Sequence, residues 1–196
     1  MAHKILCFGD SNTYGYDPRA CLGGRYPDSV RWTALLEAAG WDVVCEGENG
    51  RSIPRLDWEM EGALRALRCS RAEAAVVMLG SNDLLCGAAA KTCGERMERF
   101  LHILTDGASP GLRLLLAAPP PMRPGAWAGD PGTAEESCLL AGCYRALAER
   151  LGVGFADAGQ WNVELTFDGV HFSESGHRAF AAGAGQALSA LFGEPL

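Results

Sequence analysis

Five short apolar runs, set apart by stretches of helical periodicity, constrain this protein more than any other feature. They read "KILCF" (4–8), "DVVCE" (42–46), "AAVVML" (74–79), "LRLLLAA" (112–118) and the weaker "VGFA" (153–156). The third and fourth are nearly continuous and do not alternate, the pattern of strands covered on both faces. Between them, Asp28 is placed to cap a helix carrying Trp32, Leu35 and Leu36 on one face. Thr92 with Glu95, and Thr133 with Glu136, have the spacing of capping boxes. The first precedes Met97, Phe100, Leu101 and Leu104; the second precedes Leu139, Leu140, Cys143, Tyr144, Leu147 and Leu151. A last helix is predicted from about Ser175 to Leu191, with Phe180, Ala184, Ala187, Leu188 and Leu191 inward. Strands alternating with helices imply βαβ units and a parallel sheet with helices on both faces. The expectation is one α/β domain over residues 1–196, a three-layer α/β/α sandwich around a five-stranded parallel sheet.

At 196 residues the chain can fill one such domain without a second. A net charge of −7 argues against a nucleic-acid partner, which leaves a basic footprint. No stretch reaches the length of a membrane-spanning helix. The N-terminal "MAHKILCFGDS" lacks the apolar core and cleavage site of a signal peptide. Cys7, Cys21, Cys45, Cys69, Cys86, Cys93, Cys138 and Cys143 are scattered, with no CxxC pair and no histidine at zinc-ligand spacing. They read as reduced thiols in a cytoplasmic protein, and no metal site is expected.

In open parallel sheets, ligands bind outside the carboxyl ends of the strands. The residues after each run are therefore informative: "GDSNTYG", then "GENGRS", then "GSND", then the irregular "APPPMRPGAWAGDPG", and, past the fifth, "FDGVHFSESGH". The Pro- and Gly-rich segment (118–132) is too long for a simple turn and is a candidate binding loop. On this fold Ser11, Gly50, Asn82, Asp168 and His171 converge on one edge of the sheet. Acyl transfer needs those residue types. A serine hydroxyl requires an imidazole to take its proton, and a carboxylate to hold that ring in the right tautomer. The tetrahedral intermediate requires N–H donors aimed at its oxyanion. Ser11 suits the nucleophile, His171 the base and Asp168 the orienting acid. Ser11 and Gly50, through their N–H groups, and the Asn82 amide suit the oxyanion donors.

Each feature also has a plainer reading. Ser11 is equally placed to cap a helix, "GSND" is a common turn, and Asp-Gly in "DGVH" usually marks nothing more than a turn. The other histidines separate the alternatives. His3 precedes the first strand, His102 lies on a helix and His177 falls inside the last helix, so only His171 sits in a turn beside an acid.

"GDSNTYG" with Ser11, Gly50 in "ENGRS", Asn82 in "LGSND", and "DGVH" with Asp168 and His171 resemble, in order, the four blocks of the SGNH hydrolases, also called GDSL esterases. The usual Leu after the serine is Asn12 here, a variation not expected to touch the chemistry. "VRWTALL" (30–36), "APPP" (118–121) and "FADAG" (155–159) look like the arylesterase/acyltransferase branch. The resemblance implies a flavodoxin-like fold and hydrolysis through an acyl-serine intermediate without a cofactor. It also implies Ser11, Asp168 and His171 as the triad and Ser11, Gly50 and Asn82 as the oxyanion hole. The α/β-hydrolase alternative requires G-x-S-x-G midway along the sequence, whereas "GDSNT" lies near the N-terminus.

The expected substrate is a small ester, acetyl or short-chain. Carbohydrate deacetylase, lysophospholipase or thioesterase, and acyltransferase activities share the chemistry. Tyr14, Tyr16, Trp127 and Trp161 fall near the site edge and could line a pocket, although packing aromatics is the plainer reading of each. Relatives in this branch often assemble, so a homo-oligomer is an option. A non-catalytic flavodoxin-like module holding an anion or flavin at the first helix would not need "DGVH". A P-loop is absent, and Asp10, Asp83, Asp168 and His171 make a poor dinuclear metal set.

Overall fold

The computed structural model describes residues 2–20 and 24–193, so Cys21 lies outside the described residues. Strand β1 (Lys4–Gly9) leads into the one-turn helix α1 (Ser11–Tyr14), then a small antiparallel pair, β2 (Tyr16–Asp17) and β3 (Gly24–Arg25). Next come α2 (Trp32–Ala38), β4 (Asp42–Gly47), α3 (Asp57–Ser70), β5 (Ala74–Met78), α4 (Ser81–Leu85) and α5 (Ala90–Gly107). The fold closes with β6 (Arg113–Ala118), α6 (Pro131–Leu151), β7 (Gly154–Asp157), a short 3-10 turn (Ala158–Gln160) and α7 (Glu174–Phe192). The five long strands are the five apolar runs, all parallel, in the order β4-β1-β5-β6-β7.

The unbroken runs are explained by burial on two faces. Leu6, Phe8, Ala75, Val77, Leu114 and Leu116 face one core with Phe100, Leu101, Leu140 and Tyr144. Ile5, Cys7, Val76, Met78 and Leu115 face the other, with Trp32, Leu36, Phe172, Phe180 and Leu188. Successive strand residues point to opposite faces, so a strand with a core on each side has no polar position to alternate with. No described helix is long and apolar enough to cross a membrane.

Helix starts differ from the sequence reading. Helix α2 begins at Trp32, after Arg31, and Asp28 pairs with the Arg31 guanidinium instead of capping. Thr92 lies inside α5, which starts at Ala90; the Ala90 N–H donates to the Glu136 carboxylate of α6 at 2.6 Å. Thr133 is likewise inside α6, whose cap is Asp130, accepting from Gly132 N–H, with Pro131 in the first turn. Proline has no N–H to leave unpaired there, which makes Asp-Pro the stronger start signal. Leu139 is 59% exposed, so the inward stripe of α6 is Leu140, Tyr144, Leu147 and Ala148. Helix α3 has no counterpart among the expected helices. Its buried stripe of Met60, Ala63, Leu67 and Ser70 is too small and polar to stand out.

A cap contributed by a different helix should behave as a cap. Glu136→Ala should lower the urea unfolding free energy by about 1 kcal/mol, whereas Thr92→Ala should change it by less than about 0.5 kcal/mol.

Candidate active site

Ser11 occupies the first position of α1, directly beyond β1, and is 7% exposed. Asp10 is the cap of that helix: its carboxylate accepts the Asn12 N–H at 2.9 Å. Asp10 is itself buried, and burial pushes its carboxyl up to about 6 against the pull of that hydrogen bond and of His171 and Arg51.

The partner of Ser11 comes from a turn between β7 and α7. Asp168 organises this turn. Its Oδ1 accepts from Thr166 Oγ1 (2.8 Å), Val170 N–H (2.9 Å) and His171 N–H (2.9 Å), and its Oδ2 meets His171 Nδ1 at 2.7 Å. Burial alone would raise the Asp168 carboxyl, but the His171 and backbone hydrogen bonds outweigh it and hold it at about 2. A carboxylate against Nδ1 fixes the proton on that nitrogen and leaves Nε2 free to accept. His171 Nε2 lies 3.0 Å from Ser11 Oγ, across 160 positions of sequence. A hydroxyl in this arrangement can pass its proton to the ring as it attacks.

The irregular 118–132 segment braces the turn from outside. Arg123 N–H donates to the Gly169 carbonyl and Trp127 N–H to the Asp168 carbonyl. Gly125 is required at this crossing, because a Cβ there would stand 2.4 Å from the Asp168 carbonyl carbon. The candidate binding loop is thus a buttress of the acid-bearing turn as well as a source of Trp127.

Gly50 and Asn82 follow β4 and β5, the two neighbours of β1, and so flank the Ser11 turn on either side. Gly50 has φ +77°, a backbone conformation that glycine adopts freely. The Asn82 amide donates one N–H to the Arg51 carbonyl (3.0 Å), which fixes the amide's orientation and leaves its second N–H unused by that bond. Arg51 in turn binds the Gly9 and Glu46 carbonyls through Nη1. Asp83, fully buried, accepts Ile53 N–H (2.8 Å) and Arg96 Nη1 (2.7 Å). The 48–53 loop and α4 are therefore tied twice, through Asn82 and through Asp83.

Of the four aromatics expected near the site, two are there. The Tyr16 and Trp127 rings lie 4.7 and 4.9 Å from the His171 ring. Tyr14 packs under the Arg25 guanidinium, and Trp161 packs on Phe180 in the α7 core. His177 is buried beneath Tyr26 and Phe172, and burial pushes its ring down to about 3, so it stays neutral. His3 pairs with Glu73, and His102 is exposed. A cleft of about 470 Å³ is lined by Gly50, Arg51, Arg55 and Trp58, but by none of Ser11, Asp168 or His171. Among the described residues no group of three or more His, Cys, Asp or Glu side chains could hold a metal ion.

Residues 7–179 match the model of the GDSL-like lipase/acylhydrolase family. The chain belongs to that family. Solved structures agree. A carbohydrate acetylesterase family member from Sinorhizobium meliloti is 29% identical with a TM-score of 0.87, over 97% of this chain and 99% of that one. The M. smegmatis aryl esterase is 27% identical with a TM-score of 0.86, over 97% and 100%. A protein from Agrobacterium tumefaciens is 32% identical with a TM-score of 0.84, over 96% and 99%. A search among curated proteins gave no significant match. As a member of this family, with esterases as structural neighbours, the chain is an ester hydrolase.

The residues not legible beforehand are Asn12, Thr166, Asp83 and Arg96. Asn12 is the instructive case, because the side chain regarded as neutral to the chemistry bonds both sides of His171: Nδ2 to the Val170 carbonyl (3.1 Å) and Oδ1 from Phe172 N–H (2.9 Å).

The buried Asp10 gives a pH-dependent expectation. Its carboxyl holds a proton more readily folded than unfolded, so it costs stability as pH rises from 3.8 through about 6. Asp10→Asn keeps an oxygen for Asn12 N–H and lacks that cost. Relative to wild type its unfolding free energy should rise between about pH 4 and pH 7, by up to about 3 kcal/mol, read from urea midpoints. A difference that does not vary with pH would rule the idea out.

Proposed function

We propose that this ester hydrolase acts on small or short-chain acyl esters through an acyl-serine intermediate on Ser11. The observation that carries the reading is the relay of 3.0 Å from Ser11 Oγ to His171 Nε2 and 2.7 Å from His171 Nδ1 to Asp168. In this reading Ser11 Oγ attacks the ester carbonyl carbon while Nε2 takes its proton. The resulting oxyanion collapses, the carbon–oxygen bond to the alcohol breaks, and the alcohol leaves with the proton from Nε2. Water then repeats the sequence on the acyl-serine and releases the acid. Asp168 stays ionised throughout and stabilises the imidazolium. Ser11 and Gly50 supply backbone N–H donors to the oxyanion, and Asn82 supplies the N–H not used by Arg51. Ser11 N–H is available because the first N–H groups of a helix have no partner in its ladder. No cofactor is needed for any of these steps.

Tyr16 and Trp127 beside the imidazole support an ester whose alcohol part is small and flat. A sugar acetate is the second reading, favoured by Trp127: its indole is 54% exposed next to His171 and offers an apolar surface on which a sugar ring can stack. Acyl transfer to an alcohol would use the same intermediate with the alcohol in place of water. The seven described cysteines are unpaired, which supports a reducing, cytoplasmic setting.

Hydrolysis of p-nitrophenyl acetate, butyrate and octanoate tests the reading. Rates should fall as the acyl group lengthens and vanish in Ser11→Ala; equal rates for the two proteins would sink it. Asn82→Ala should lower kcat by the equivalent of about 2.7–4 kcal/mol with the fold intact, as loss of an oxyanion donor does. Trp127→Ala should raise KM for p-nitrophenyl acetate more than it lowers kcat, because the ring contacts ground state and transition state alike.

A further inference from the structure

The Ser11–His171 hydrogen bond joins elements that the sheet does not hold side by side. Ser11 follows β1, while His171 belongs to the turn after β7, and β5 and β6 stand between those strands. The turn must therefore reach back over two strands and stop at the right height. Its internal bonds, centred on Asp168, fix the shape of the turn but not its distance from α1.

We propose that Asn12 is the positioning residue that sets this distance, a role that rests on the Ser11–His171–Asp168 reading above. Its amide spans the backbone on both sides of the histidine, accepting from Phe172 N–H and donating to the Val170 carbonyl. The amide's orientation is unambiguous, because one partner can only donate and the other can only accept. Among the described residues, these are the only hydrogen bonds besides Ser11–His171 that join α1 to the turn. Asn12 is itself held: Trp32 Nε1–H donates to its carbonyl at 3.0 Å, and the Asp10 carboxylate takes its N–H. The side chain is 3% exposed, so water does not compete for these bonds. Asn12 touches neither substrate nor the reacting atoms. It acts by keeping Nε2 within reach of Oγ while the ring swings from base to acid. A leucine at this position offers no donor or acceptor, so it would free the turn from α1.

The experiment compares wild type, Asn12→Leu, Asn12→Ala and Ser11→Ala on p-nitrophenyl acetate, on acylation by a fluorophosphonate, and by proton NMR of the low-field His171 Nδ1–H resonance. Both Asn12 variants should lose about 10- to 100-fold in kcat and in fluorophosphonate acylation, the scale of a misplaced catalytic group. KM should stay within about twofold. The low-field resonance should persist, because the Asp168–His171 bond lies wholly within the turn. Wild-type kcat in both Asn12 variants, with Ser11→Ala inactive, overturns the proposal and leaves the nucleophile reading standing. Loss of the resonance in both variants also overturns it, since Asn12 would then maintain the turn's fold instead of its distance. An active Ser11→Ala would instead overturn the reading on which the proposal rests.

Discussion

Parallel strands end together on one edge of a sheet, and every functional feature of this molecule depends on that constraint. With the order β4-β1-β5, the segments beyond three neighbouring strands present Gly50, Ser11 and Asn82 in a row. The turn beyond β7 adds Asp168 and His171 from the other side of the sheet. Side chains far apart in the sequence can then meet without any long-range deformation. The rigidity beneath them is considerable, since β5 is buried along its whole length and packed on both faces.

The polar groups at that edge are buried and almost fully matched, which is what preorganisation requires. Asp168 uses both oxygens to shape its own turn and to orient His171. Asp83 performs the corresponding task for the 48–53 loop, with Arg96 neutralising its charge. Asp10 is the exception. It caps α1 from a site where ionisation is penalised, so the fold keeps a destabilising carboxylate directly beside Ser11. Departures of this kind concentrate at functional sites, where geometry is selected over stability.

Strand reading succeeds for a simple physical reason: "AAVVML" and "LRLLLAA" have no polar position because they have no exposed face. Helix-start reading fails where the competing signal is tertiary. Thr92 and Glu95 have the spacing of a capping box, yet the first N–H of α5, that of Ala90, is met by Glu136 of another helix. Among the aromatics, Tyr16 and Trp127 reach His171, while Trp161, no different in its local sequence, packs half-buried on Phe180.

The five strands, their alternation with helices and the polar residues placed after each one are all legible in the residue order. Burial pattern and turn chemistry are local properties of a few consecutive residues, and that is enough to mark Ser11, Gly50, Asn82, Asp168 and His171 as candidates. Folding alone reveals which side chains hold those residues in place: Asn12 on the backbone flanking His171, Arg96 on Asp83, and the 118–132 loop on Asp168. Those contacts join segments up to 160 positions apart. Their partners are mostly backbone groups, which every residue carries and which no residue pattern can mark.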